Sequence, residues 1–429
     1  MNGNIIIKHA NELVTCSGFS AKKGPAMSEL HIIHDGAVIV QEGVIKAVGT
    51  TREIEITLAK SGFDSTEFDT IDAGNKAVLP GFVDSHTHFI FGGDRAEEFS
   101  WRLRGDSYMD IMQRGGGIVN TVRATRAASA NELLQAGIKR LDSMLSFGVT
   151  TVEGKSGYGL DLNTEIKQLE VINHLDGIHY LDIVPTFLGA HAVPEDYKGR
   201  EDEFIDYMIA EVMPQVAERK LAEYCDVFCE KKVFSVRQSR RLLSGAKALG
   251  LKLKLHADEI VQLGGAELAA ELEATSADHL LQASDEGIRQ MAQADVVATL
   301  LPGTAFSLKE PYARARFIID SNCAVALATD FNPGSCFTES IPLIFALATL
   351  YMNVSTEEAL TALTINAAAA LDRADTIGSI DVAKQGDLVV LESPSYKFIP
   401  YHIGVNSVEK VIKKGNLVFD KEKGGITYC

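Results

Sequence analysis

PGFVDSHTH, residues 80–88, runs from a proline through an apolar stretch into two histidines, and the same layout returns seven times further along the chain. VTTVEGKS (149–156), IVPTFLGAHA (183–192), CDVFCE (225–230), LKLKLHADE (251–259), SADHL (276–280), DVVATLLPG (295–303) and AVALATDFN (324–332) are short apolar runs that finish near a polar side chain or a turn residue. Helix-like segments separate them, so strand and helix alternate from about Pro80 to Asp372, the pattern of βα units around a parallel sheet. Eight runs are the number that closes a β/α barrel. The expected fold class is α/β, a (β/α)8 TIM-type barrel over residues 80–372.

Outward from the barrel the pattern changes. SANELLQAGIKRLDSMLSFG (129–148) and STEEALTALTINAAAALD (355–372) read as helices, each opening with a Ser and Glu at capping-box spacing, Ser129 with Glu132 and Ser355 with Glu358. Both ends of the chain read instead as short strands with turns: IIIKHANELVT, AVIVQEGVIKAVG and FDTIDAG at the start, GDLVVLES, VEKVIKKG and NLVF at the end. They are expected to form one small composite β-sandwich domain from residues 1–79 and 373–429. No period of 20 to 50 residues repeats, and no low-complexity tract stands out.

Composition narrows the function class. The 429 residues carry 41 Lys and Arg against 58 Asp and Glu, a net charge of −17, and that field repels phosphate backbones and anionic headgroups. Neither a nucleic-acid partner nor a membrane surface is expected. The opening residues lack the layout of a secretory signal, and the apolar stretch IPLIFALATLYM (341–352) is well short of the roughly 20 residues needed to span a bilayer. Cysteines at 16, 225, 229, 323, 336 and 429 show no CxxC pairing, which fits a reducing cytoplasm best.

Most of the expected strands place a metal-binding or proton-moving group at the end where barrel active sites lie: His86 and His88, Glu153 and Lys155, His191, Glu230, His256 with Glu259, His279, and Asp330. Side chains alternate along a strand, so His86 and His88 face the same way. Asp330 follows an almost wholly apolar run, where a bare carboxylate is costly unless paired or metal-bound. His86, His88, His256 and Asp330 together make a three-nitrogen, one-oxygen set that suits Zn(II) or Fe(II) with room for water, the chemistry of hydrolysis. Glu259 is a candidate to move a proton between water and a leaving nitrogen, and His279 to share that work. Lys155 is either a carbamylated bridge between two metals or a partner of Glu153 or Asp330; a single metal is the preferred reading.

PGFVDSHTH with His256 and Asp330 resembles the amidohydrolase superfamily. Longer blocks, FGGDRAEEFSWRL, GGGIVNTVRATRAAS, KSGYGL, TFLGAHAVP, KLHADE, SADHL, LLPGTAFSL and ATDFNPGS, run in order through the barrel and resemble one ring-opening branch of it. That resemblance implies one Zn(II) or Fe(II/III) per subunit on His86, His88, His256 and Asp330. It implies substrate contacts from Arg95, Tyr158, His191, Glu259, Asn332, Gly334 and Ser335; Glu259, His279 and Asp330 are the expected catalytic groups, Glu259 delivering the proton and the other two guiding the water. The implied reaction belongs to histidine degradation: water opens the ring of 4-imidazolone-5-propanoate to N-formimidoyl-L-glutamate. A homodimer is a superfamily-level expectation.

The side chains agree with those assignments. Arg95 offers a planar fork suited to a carboxylate, against the alternative of a surface arginine in a charged loop with Asp94 and Glu97. Tyr158 and His191 offer flat rings with polar tips. Asn332-Pro333-Gly334-Ser335 reads as a turn whose backbone amides would hold an anion, or as a plain loop. The Gly115–Gly117 run is expected to be a mobile loop near the mouth, with Arg123 and Arg126 adding positive charge there or lying on a solvated helix face. Two alternatives stay open: another barrel amidohydrolase, acting as a deaminase or a cyclic-amide hydrolase, and a non-catalytic scaffold that kept the barrel.

Overall fold

The structure is a computed structural model that describes residues 3–61, 67–106, 114 and 116–426. Eight parallel strands follow one another in sequence order around the central sheet: Phe82–Asp84, Val149–Lys155, Asp182–Ala190, Tyr224–Cys229, Lys252–Ala257, Ser276–His279, Val297–Leu300 and Val325–Leu327. Just beyond the last strand the chain comes back to the first. Thr87 bridges Phe331, His88 N–H donates to Phe331 O at 2.9 Å, and Asp330 N–H donates to His86 O at 3.0 Å. The fold is thus a (β/α)8 barrel, and its closing seam runs through the very residues expected to bind a metal. Every strand is buried almost throughout, which is why the barrel runs read as apolar rather than alternating. Gly154 sits within the second strand, where a Cβ would come within 2.9 Å of the Phe89 ring. No helix among the described residues is long and apolar enough to cross a membrane.

The capping boxes at Ser129–Glu132 and Ser355–Glu358 both form, and a third, Ser235 with Gln238, opens the helix Val236–Ala248. The segment from Ser355 is not one helix. It breaks at Thr364 (φ −124°, ψ −97°) into Thr356–Leu363 and Ile365–Ala369, where the Thr364 hydroxyl donates back to Leu360 O at 2.7 Å and offers the backbone an alternative to helical continuation.

The terminal segments build two sheets. A four-stranded sheet, ordered Val44–Thr50, Gly36–Gln41, Ile5–Ala10, Asp69–Asp72, comes from the N-terminal part alone. A seven-stranded sheet joins both ends of the chain through the pairing of Ala77–Pro80 with Leu388–Leu391. The two pack face to face over Ile5, Ile7, Val38, Val40, Val78, Leu388, Val390 and Ile412, and the helix Thr51–Ser61 covers the outer face of the smaller sheet through Ile54. A polar knot ties this sandwich to the barrel. Lys413 Nζ lies 2.8 Å from both Asp182 and Asp387, Lys414 Nζ 2.6 Å from Asp182, and Gln385 Nε2 donates to Asp182 at 2.9 Å.

Candidate active site and metal centre

Four donor atoms converge at the C-terminal mouth of the barrel. His86 Nε2 lies 3.3 Å from His88 Nε2, His88 Nε2 lies 3.4 Å from His256 Nε2, and Asp330 Oδ1 is 3.6 Å from the Nε2 atoms of both His86 and His88. All four residues are buried. A tetrahedral site with arms of about 2.1 Å has edges of about 3.4 Å, so these spacings match the shell of one small divalent cation. Three ring nitrogens and a carboxylate oxygen facing one another at these distances are what one shared cation would hold together. The residues therefore fit the metal that the donor set calls for.

Two of the other ring nitrogens, those of His86 and His256, face carboxylates below. His86 Nδ1 sits 2.6 Å from Asp278 Oδ2, and His256 Nδ1 lies 2.9 Å from Asp226 Oδ2, which leaves each Nε2 lone pair directed at the centre. Asp330 receives hydrogen bonds from the Thr304 hydroxyl at 2.5 Å and from Asn332 Nδ2 at 3.1 Å. Burial and the nearby Lys155 ammonium hold His86 well below the usual imidazole range, and burial with the His191 ring does the same for His88. Both are held in the neutral form that a metal ligand requires. Burial works against a charged His256, but the Asp226 carboxylate beside it raises it above its ordinary value.

Beneath the histidines a barrel interior that ordinarily holds branched apolar side chains carries charge instead. Lys155 Nζ lies 2.7 Å from Asp226, 2.9 Å from Glu153 and 3.7 Å from Asp278, and Lys254 Nζ lies 3.0 Å from Glu153 and donates to Ser85 O at 2.9 Å. All five side chains are fully buried. Lys155 thus pairs with Glu153, as one reading of the sequence had it, but not with Asp330. Its ammonium is committed to three carboxylates, and burial, which opposes the charge, is outweighed by them.

Above the cluster a cavity of about 350 Å³ is lined by His88, Tyr158, His191, His256, Glu259, His279 and Asp330 at its floor and by Arg95, Asn332, Gly334 and Ser335 on its wall. The structure thus gathers the proposed metal donors and substrate contacts around one cavity, while His86, Glu153, Lys155 and Glu230 lie outside its lining. His191 donates from Nδ1 to Gly157 O at 3.1 Å and stacks on His88, with ring centroids 5.0 Å apart, leaving its other nitrogen for a ligand. Glu259 stands 3.7 Å from His279 Nδ1, and burial together with the Asp330 carboxylate pushes it up to about 8. The loop that carries it is fixed at both ends: Glu230 accepts from Ile260 N–H at 2.8 Å, and Asp258 accepts from Leu263, Gly264, Gly265 and Ala266 at the start of the helix Gly265–Leu272. Glu230, one of the strand-end candidates, acts on the site through that loop.

Three sequence expectations change. The Gly334 and Ser335 amides do not stand open for an anion, because Asn332 Oδ1 accepts both at 2.8 Å in a tight turn that also explains why the segment needs Asn332. Arg123 and Arg126 do not line the cavity; Arg126 lies 2.8 Å from both Gly159 O and Asp161 Oδ2. Arg95 is neither on the surface nor paired with Asp94 or Glu97. Its fork closes on both oxygens of Glu98, three residues along the helix Ala96–Leu103. Of the Gly115–Gly117 loop, Gly115 lies outside the described residues. Sequence reading missed Glu98, Arg102, Asp106, Ile118, Phe228, Ile260 and Leu308 as lining residues. The i,i+3 spacing of Arg95 and Glu98 was the one available signal.

A closed parallel barrel with three histidines and an aspartate converging at its mouth, joined to a sandwich built from the chain ends, defines the class of the amidohydrolases. A family model described as "Amidohydrolase family" matches residues 69–133 and 207–419. Among solved structures, 5-methylcytosine deaminase from Klebsiella pneumoniae shares the fold with a TM-score of 0.72 at 16% identity, over 99% of this chain and 100% of that one. A zinc-bound adenosine deaminase from Xanthomonas campestris does so with a TM-score of 0.68 at 18% identity, over 96% of this chain and 92% of that one. Much closer in sequence is the imidazolonepropionase of Clostridium tetani, 64% identical over 419 residues, 98% of this chain and 99% of that protein. The imidazolonepropionase of Parabacteroides distasonis is 59% identical over 97% of this chain and 99% of its own length. The chain belongs to the amidohydrolase family and, within it, to the imidazolonepropionases.

Proposed function

We propose that the protein hydrolyses the ring C–N bond of 4-imidazolone-5-propanoate to N-formimidoyl-L-glutamate, with one zinc or iron ion on His86, His88, His256 and Asp330. The observation that carries this reading is the 64% identity to an imidazolonepropionase over nearly the full chain. The cavity supports it, with a four-donor cluster at the floor for a reacting carbonyl and arginines on the wall for a carboxylate arm. When bound, the ion supplies water of lowered pKa, about 7, and polarises a carbonyl.

The chain's own residues then divide the work. Tyr158 and His191, whose ring centroids are 5.3 Å apart, together offer one face of the cavity to the ring. Water oxygen bonds to the ring carbonyl carbon, the C–N bond breaks, and Glu259 carries the proton from the water to the departing nitrogen. His279 and Asp330 orient the water. Thr304 and Asn332 fix the Asp330 carboxylate, and Asn332 holds the turn that places Gly334 and Ser335 on the cavity wall.

The test is to give purified protein of known metal content freshly made imidazolonepropanoate and identify the product by mass spectrometry beside a chelated control. Chelator-sensitive formimidoylglutamate is expected. An intact ring with metal fully bound would remove the substrate assignment, and ammonia release from other heterocycles would point to a deaminase.

A further inference from the structure

Two arginines from one helix reach the cavity wall on either side of Gly334. Arg95 Nη1 lies so near the Gly334 Cα that a Cβ there would stand 2.0 Å from it, while Arg102 Nη1 donates to Gly334 O at 3.2 Å. Glu98 is spaced to serve both, three residues after Arg95 and four before Arg102. It serves one. Both of its oxygens close on the Arg95 fork, and Oε2 also accepts from Gly117 N–H at 2.7 Å.

The charge on this wall can be followed pair by pair. Arg95 is neutralised by Glu98, and Asp106 by Arg114 at 2.6 Å. Arg102 has no carboxylate within ion-pair distance among the described residues. Its polar contacts are the Gly334 carbonyl and, at 3.5 Å, the Ser307 hydroxyl, and its guanidinium rests on the Phe99 ring, 5.3 Å from the centroid. A planar guanidinium, held in place by a carbonyl and a ring face, thus borders the cavity without a carboxylate in ion-pair contact among the described residues.

We propose that Arg102, rather than Arg95 alone, is the specificity-determining group that recognises the carboxylate arm of the substrate, the Arg95–Glu98 pair serving as the fixed wall against which that arm lies. The inference deepens the proposed function and rests on it for the identity of the arm. A carboxylate entering here meets one cation that makes no ion pair among the described residues. It need not displace Glu98 from a bidentate pair, which would leave a second buried carboxylate without its partner.

The stable probes imidazole-4-propanoate and imidazole-4-propanamide separate this from a purely structural role, because they differ only in the charge of the arm. Calorimetric titration of the metal-loaded protein should show tighter binding of the acid than of the amide. Arg102→Met should weaken the acid by about 10-fold or more while leaving the amide nearly unchanged, since it removes the cation that would pair with the carboxylate. Arg102→Lys, which keeps the charge but loses the fork, should fall between, and it also covers the case that the Met variant does not fold. Equal loss for acid and amide would reduce Arg102 to a latch on Gly334 and overturn the proposal. So would an acid preference that survives in Arg102→Met and disappears in Arg95→Met. Turnover of imidazolonepropanoate is read separately, so absence of ring opening with acid preference intact would fault the reaction and spare the binding role.

Discussion

Glu259 differs from the other carboxylates that line the cavity. Glu98, Asp106 and Asp330 each accept a hydrogen bond or an ion pair, whereas Glu259 has only the His279 ring at 3.7 Å among the described residues. A largely buried carboxylate without a donor holds a proton more tightly than a free one, which suits a group that takes a proton from water and keeps it until the C–N bond breaks. Glu259→Gln keeps the shape and removes the exchange. Turnover is expected to drop by about 100-fold or more, with metal content and melting temperature unchanged; normal turnover would take Glu259 out of the scheme. Gly334 makes a second residue-level case. Its constraint is space, because its Cβ direction runs into the pinned Arg95 guanidinium. Gly334→Ala should raise KM far more than it lowers kcat, and an unchanged KM would mean that Arg95 moves aside freely.

At the scale of elements, the barrel strands act as a rack that delivers side chains at period 2 to a common axis. The fourth strand contributes Asp226, the fifth Lys254 and His256, the sixth Asp278, the second Glu153 and Lys155, and their charges interlock beneath the proposed metal ligands. Such a network is costly to bury and severely destabilising to break. Its use here is orientation, since the ligand-bearing rings are aimed by Asp226 and Asp278. Asp226→Asn retains the shape but loses the charge that steadies His256. Metal affinity, measured by competition with a chromogenic chelator, should fall by about 10- to 100-fold. Unaltered affinity would mean that packing alone orients the ring.

Across the whole molecule, the sandwich and the barrel meet through Asp182 at the start of the third barrel strand. Burial alone would raise its pKa, but Lys413, Lys414 and Gln385 overcome that and bring it down to about 2. A carboxylate depressed on folding stabilises the native state above its unfolded value, near 4, and that contribution is lost as pH falls through the folded value. The junction is therefore expected to weaken between about pH 4 and pH 2. Asp182→Asn should flatten that part of the stability-versus-pH curve and lower the melting temperature at neutral pH. An acid limb identical to that of the unaltered protein would show that the knot contributes nothing to stability.

The barrel was legible in the sequence because a strand buried on both faces must be an apolar run, and a run that ends in His, Asp or Glu names its own catalytic end. His86, His88, His256 and Asp330 were legible for the same reason, as were the capping boxes at Ser129 and Ser355, whose partners lie three residues away. What the sequence could not carry was the partner of a side chain with several chemically equal options. Arg95 had Asp94, Glu97 and Glu98 within reach along the chain, and Lys155 had several carboxylates from other strands. The break at Thr364 and the capture of the Gly334 and Ser335 amides by Asn332 depend on which local hydrogen bond wins, a competition with nearly equal terms. The sequence by itself determined which residues sit at the barrel mouth, because burial and period leave them nowhere else to go. Only the tertiary structure decided which of them pair and which keep a free charge, because that depends on distances between elements far apart in the chain.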